Sequence, residues 1–231
     1  MMTNQPKNLQ VGKNVVIHAD VWIGDNVKIG DNTVIYSGTE IGNDIEIGAN
    51  CVLGIIPGSN QRMRKASTNI DPLRIGEGTK IGHLVSIYSG TTLESYNFIG
   101  DHASIRENVK VGKETVIGRA ALVELNTTIG DRCKIQTLVY VTGDTTIEDD
   151  VFIGPCVSMS NDKYMGAKNY SMKGPHIRTE AKIGNNASIL PNVTIREKAI
   201  VGAGAVVTKD IEKGVTVTGV PAKPLKEGDG D

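Results

Sequence analysis

Residues 75–123 read IGEGTKIGHLVSIYSGTTLESYNFIGDHASIRENVKVGKETVIGRAALV, with an aliphatic residue at every sixth position: Ile75, Ile81, Ile87, Leu93, Ile99, Ile105, Val111, Ile117 and Val123. The same spacing continues through Ile129, Ile135, Val141, Ile147 and Ile153 to Met159. Upstream it runs from Val11 to Leu53, and downstream from Ile177 to Val207. A helix repeats every 3.6 residues and a strand every second residue, so neither accounts for this period. A fixed internal repeat is the mark of a solenoid. The residue four places after each aliphatic is usually small or β-branched, as at Val27, Ala103, Ala121, Thr127, Cys133, Val151 and Ala187. Each repeat thus supplies two inward positions two residues apart, which is a short strand. Three such strands close a triangular coil of about 18 residues, and coils stack about 4.8 Å apart. The expected fold is all-β, a parallel β-helix of about nine to ten coils on the order of 45 Å long.

The composition agrees. Aromatics are 4% and glycine reaches 27 residues, which suits a narrow core with many corners, while 39% hydrophobic residues is too many for disorder. The 25 basic and 26 acidic residues nearly cancel, leaving no electrostatic reason to expect nucleic acid or an anionic membrane as partner. The N-terminal MMTNQPKNLQ lacks the apolar segment of a secretory signal. Three cysteines, Cys51, Cys133 and Cys156, form neither a disulfide framework nor a CxxC zinc site. A cytoplasmic location is the expectation, with Cys51 and Cys133 in the core.

Two polar stretches break the period, 59–74 (SNQRMRKASTNIDPLR) and 160–176 (SNDKYMGAKNYSMKGPH). They read as loops leaving the prism, and long loops in compact domains tend to serve function. The expected organisation is a lead-in at 1–10, the β-helix at 11–212 and a C-terminal segment at 213–231.

Residues 18 apart share a face, so the residue after each aliphatic sorts into three columns. Two are mostly glycine: Gly12, Gly30, Gly48, Gly82, Gly100, Gly118, Gln136, Gly154, and Gly24, Gly42, Gly76, Glu94, Gly112, Gly130, Glu148. The third reads His18, Tyr36, Gly54, Tyr88, Arg106, Glu124, Thr142, Ser160. Beside it run Asn108, Asn126, Asp144 and Asp162, and between them Glu107 and Asn161. One edge of the prism therefore carries a polar and aromatic stack that ends where the second loop leaves. As candidate groups it offers Tyr88, Arg106, Glu107, Asn108 and Thr142, together with Gln136, for substrate, and Glu124, Asn126, Asn161 and Asp162 for chemistry. The same residues also suit a purely structural ladder.

The recurring [LIV]-G-x-x-x-x pattern resembles the hexapeptide-repeat superfamily of acyltransferases, over roughly residues 11 to 212. That resemblance, and not the period, implies a left-handed coil, an exception to the usual crossover hand. It also implies a homotrimer with acetyl-CoA, or another acyl-CoA, bound between subunits. The C-terminal GAGAVVTKDI (202–211) and GVPAKPL (219–225) resemble the acetyl-CoA end of sugar acetyltransferases. By that resemblance, backbone near Ala187 and Ala205 would meet the pantetheine, Lys209 and Lys223 the CoA phosphates, and Gly154, Gly202 and Pro221 would border the same site. The stretch IGPCVSMSND (153–162) resembles the GPxVxFTND segment of nucleotide-sugar N-acetyltransferases, with Ser160 in place of Thr.

A neutral amine attacks a thioester without prior deprotonation, whereas an alcohol needs a general base, commonly His. No His stands directly after VSMSND, the nearest being His176 at the far end of the loop, which favours an amino-sugar acceptor, nucleotide-linked by the same resemblance. If a base is required, His102 is the first candidate, and no metal is expected. Three alternatives stay open: a sugar O-acetyltransferase, a γ-carbonic-anhydrase-like enzyme needing three His on zinc, and a non-catalytic scaffold.

Overall fold

The computed structural model describes residues 4–65 and 70–225. They contain strands and turns and no helix. Short parallel strands stack into three sheets, A, B and C, the walls of a left-handed triangular prism. Sheet A begins with Gln10–Val11, sheet B with Val16–Ile17 and sheet C with Trp22–Ile23. Up to Val207 the register is 18 residues wherever no loop intervenes: Phe98 pairs with Val116, Ser104 with Leu122 and Lys110 with Thr128.

The aliphatic residue of each repeat points inward. Ile23, Ile35, Ile41, Leu53, Ile87, Ile99, Ile105 and Ile117 are fully buried. The second inward position takes small residues, including Cys51 and Cys133, whose thiols burial pushes up, the latter to about 11. Threonines also fill it without leaving polar atoms unpaired. Thr33 Oγ1 donates to the Gly48 carbonyl and accepts from the Cys51 N–H. No described buried side-chain nitrogen or oxygen lacks a partner, as a stable interior requires.

Two details depart from the sequence reading. Sheet A holds twelve strands, the last antiparallel, so ten turns close and an eleventh begins. The shortfall arises because the period breaks after Val207: the next inward residues are Ile211 and Val217, and Thr216–Thr218 still pairs with the strand at Ile200. The glycine columns also have another cause. The left-handed corner residue lies two positions later, at Asn14, Asn32 or Asn50 (φ 55° to 59°), where Asn tolerates that conformation. The column glycine is needed for close stacking instead, since a Cβ on Gly30 would lie 2.6 Å from the Ala49 nitrogen of the next coil.

Both loops leave at the corner between sheets B and C, after Val52–Ile55 and after Ser158–Met159. The first loop inserts between repeats without using one up, so the column assignment holds across it.

Candidate active site

The polar column follows the strands of sheet B and lies along the B–C edge. Its centre is Arg106, whose guanidinium donates to both oxygens of Glu107, at 2.8 and 3.1 Å. Glu107 is 3% exposed, so this is a buried, bidentate charge pair. The guanidinium also sits 4.9 Å from the centre of the Tyr88 ring, within cation–π range. Glu124, one coil along, approaches Arg106 only to 3.8 Å. Burial, and then Glu107, raise the Glu124 carboxyl above the usual range against the pull of Arg106. Tyr140 was not singled out in the sequence. It projects from sheet B one coil beyond Leu122, and burial and Glu124 push its phenol up. The 18-residue register applied to outward residues would have revealed it.

On the sheet C side of the same edge, Asn108, Asn126 and Asp144 form a ladder, each Asn Nδ2 donating to the next Oδ1 at 3.2 and 3.1 Å. The first loop reaches this ladder. Arg64 Nη1 lies 2.6 Å from Asp144 Oδ2, four coils beyond the point where the loop leaves. By strand spacing that is about 19 Å along the prism. Residues 66–69 lie outside the described residues. The second loop is seated beside it: Asn161 Nδ2 donates to the Gly143 carbonyl at 3.3 Å, and the Asn161 carbonyl accepts from Lys173 N–H. Asp162 spends both oxygens on loop N–H groups, those of Tyr164 and Gly166 at 2.8 and 2.7 Å. Its role here is to fold the loop.

The remaining candidates lie elsewhere. His102, in the same coil as Arg106, occupies the corner between sheets A and B, exposed and with φ 61°. That strained conformation does not single it out, since Leu84, Ala120 and Leu138 share it along the same edge. Gln136, Gly154, Ala187, Gly202 and Ala205 also line the A–B edge, on later coils. Lys209 does not join them, for it lies exposed at the B–C corner of its coil. Pro221 and Lys223 belong to a terminal hairpin in which Lys223 pairs with Thr218, and Ala222 N–H donates to the Val206 carbonyl at the end of sheet B. Apart from Pro221 and Lys223, the candidates thus fall on two edges that flank one sheet. A cavity of about 550 Å³ lies along sheet A beside Lys28, Glu46 and His83, opposite the B–C edge, and contains none of them.

That flanked sheet differs from the other two. Its ten outward residues are Val16, Val34, Val52, Ser86, Ser104, Leu122, Tyr140, Ser158, Ser188 and Val206, with no charge among them. Sheet A presents Lys28, Glu46, Lys80, Lys134 and Lys182, and sheet C presents Glu40, Arg74 and Lys110. Among the described residues, no group of three or more His, Cys, Asp or Glu is placed to hold a metal ion. Among the same residues, no helix is long and apolar enough to cross a membrane.

The profile of the bacterial transferase hexapeptide (six repeats) matches residues 7–36, 20–54, 126–161 and 174–209, and that of the hexapeptide repeat of succinyl-transferase matches 108–143. A putative acetyltransferase of Schizosaccharomyces pombe is 36% identical over 88 residues, covering 36% of this chain and 42% of the relative. The galactoside O-acetyltransferase of Escherichia coli is 35% identical over 88 residues, covering 36% and 43%. Each match spans less than half of the relative's length. Among solved structures, a variant of the GDP-perosamine N-acetyltransferase of Caulobacter crescentus, in complex with CoA and GDP-perosamine, shares 23% identity at a TM-score of 0.34, covering 63% of this chain and 58% of that one.

Proposed function

The chain belongs to the bacterial transferase hexapeptide family, and from that premise we propose that it transfers an acyl group, acetyl in the first instance, from acyl-CoA to the amine of an amino sugar. The curated relatives are named acetyltransferases, which supports acetyl transfer, and they include an O-acetyltransferase, so the amine rests on the chain's own chemistry. The observation that carries the reading is the charge-free sheet B between two functional edges. An uncharged face on an otherwise charged prism is suited to burial against copies of itself. Three prisms set with sheet B inward around a threefold axis close a ring through one repeated contact. Each cleft between neighbours is then bounded by the A–B edge of one chain and the B–C edge of the next. The two candidate groups, separated within one chain, meet across that boundary. The A–B edge contributes His102 and the row from Gly154 to Ala205 that would take CoA; the B–C edge contributes Arg106, Glu107, Glu124 and Asn161 for the acceptor. A nucleotide-linked amino sugar fits this arrangement, because the strap from the first loop, whose Arg64 meets Asp144 on the acceptor edge, also carries Arg62 and Lys65 as cationic partners for phosphate.

Subunit mixing tests the arrangement. His102→Ala and Asn161→Ala, on different edges, should each lose at least tenfold in CoA-thiol release with acetyl-CoA and a panel of amino-sugar nucleotides, a typical scale for such groups. Co-expressed in equal amounts, the two variants should regain about a quarter of wild-type activity, since a quarter of the clefts pair two intact edges in a random trimer. A mixture no more active than the mean of its components would rule out a shared cleft.

A further inference from the structure

From Arg106 to the second loop, four carboxylates stand along the acceptor edge, and three of them are spent. Glu107 gives both oxygens to Arg106. Asp144 gives one oxygen to Asn126 and the other to Arg64. Asp162 gives both to the backbone of its own loop. Glu124 is different: among the described residues it makes no hydrogen bond and its nearest cation is 3.8 Å away, and its side chain is 26% exposed. Arg106 cannot close that gap cheaply, because Glu107 holds it by two bonds and Tyr88 lies against its face. Arg106, Glu107 and Glu124 together carry one negative charge more than positive. A half-buried carboxylate with free lone pairs beside a committed arginine is an incomplete ion pair. What completes it is a cation.

We propose that Glu124 binds the acceptor's ammonium group and takes its protons, which makes the site selective for amines over alcohols. This inference rests on the acyl-transfer reading and names its proton acceptor. Glu124 first removes one proton from the ammonium and releases it to solvent. The neutral nitrogen then attacks the thioester carbonyl, forming the C–N bond. The C–S bond breaks and CoA departs as thiolate. The second nitrogen proton passes through Glu124 to the thiolate sulfur, so an amide and free CoA thiol leave and Glu124 is ionised again. An alcohol would offer no cation to complete the pair, and its hydroxyl would leave Glu124 with the cost of partial burial unmet. Tyr140 and Arg106 face the same carboxylate, and neither supplies the missing charge while Arg106 stays bound to Glu107.

The test compares wild type, Glu124→Gln and Glu124→Asp on the amino-sugar nucleotide that wild type turns over fastest, with acetyl-CoA as donor. The analogue bearing a hydroxyl in place of the amine serves as competitive inhibitor, and thermal stabilisation by CoA serves as a control for folding and donor binding. E124Q should lose at least about 100-fold in kcat/KM, with KM rising as well as kcat falling, and E124D should recover part of it. CoA should stabilise all three alike, and the hydroxyl analogue should inhibit E124Q at least as well as wild type. An active wild type together with an E124Q chain within threefold of it overturns the role of Glu124 and leaves acyl transfer standing. Loss of CoA stabilisation in both variants makes Glu124 structural and overturns it too. A wild type that releases no thiol with any member of the panel overturns the parent reading and this inference with it.

Discussion

At the scale of single residues, the prism shows how a carboxylate's surroundings decide its work. Glu148 sits at the corner between sheets C and A. Its Oε2 accepts from the Thr179 N–H and hydroxyl at 3.1 and 2.9 Å, and its Oε1 lies 2.8 Å from His176 Nε2. Burial works against its ionised form, but these hydrogen bonds prevail and the carboxyl is held below its ordinary value. A carboxylate lowered in the folded state stabilises above its unfolded value, near 4.3, and that contribution is lost as pH falls through the folded value. Glu148→Gln should therefore lower the urea midpoint at pH 7, and the difference from wild type should shrink steadily below about pH 4. A difference that stays constant across that range would mean the charge contributes nothing. Glu124 is the counterpart: no hydrogen bond among the described residues holds its anion and burial raises it, so the same residue type is held ionised at one corner and pushed toward its neutral form at another.

At the scale of elements, the strap from the first loop is held to the ladder by Arg64 and Asp144. Arg64 is 45% exposed, so the pair contributes no more than about 1 kcal/mol. Arg64→Ala should move the melting temperature by less than about 4 °C, yet speed tryptic cleavage after Arg62 by up to about fivefold, because local opening follows local free energy. Equal cleavage rates would show that the strap is held by other contacts. This clasp was not legible in the sequence. Strand positions were, since Ile75, Ile81 and Ile87 each answer to one period that the 18-residue register imposes, and the polar column at Tyr88, Arg106 and Glu124 followed from it directly. A loop obeys no period, so nothing in SNQRMRKASTNIDPLR says that Arg64 meets a residue 80 positions later. The terminal coil escaped for a related reason, as the spacing from Val207 to Ile211 breaks the repeat. The segregation of candidates onto two edges was implicit in the columns, but only the strand pairing made sheet B the face between them.

At the scale of the whole molecule, everything proposed about the cleft depends on which face meets the neighbouring chains. The two charged faces would bring lysines such as Lys80 and Lys134, or Arg74 and Lys110, against copies of themselves, and like charges desolvated together are costly. Sheet B avoids this along its whole length, from Val16 to Val206, with Leu122 near its middle 41% exposed in the lone chain. In a threefold assembly three copies of Leu122 approach the axis together. Leu122→Lys would replace that apolar contact with three ammonium groups in one desolvated space, a penalty of several kcal/mol per charge. The variant should elute as a folded chain of 24.6 kDa by light scattering, whereas wild type should show three times that mass. Thr128→Lys on sheet C and Phe98→Lys on sheet A should leave the assembly intact, and the Leu122→Lys monomer should lose turnover although His102, Glu124 and Asn161 are unaltered. If Phe98→Lys dissociates the protein and Leu122→Lys does not, the inward face is sheet A, the clefts are bounded by other edges, and the acceptor stack on the B–C edge faces solvent instead of a neighbour.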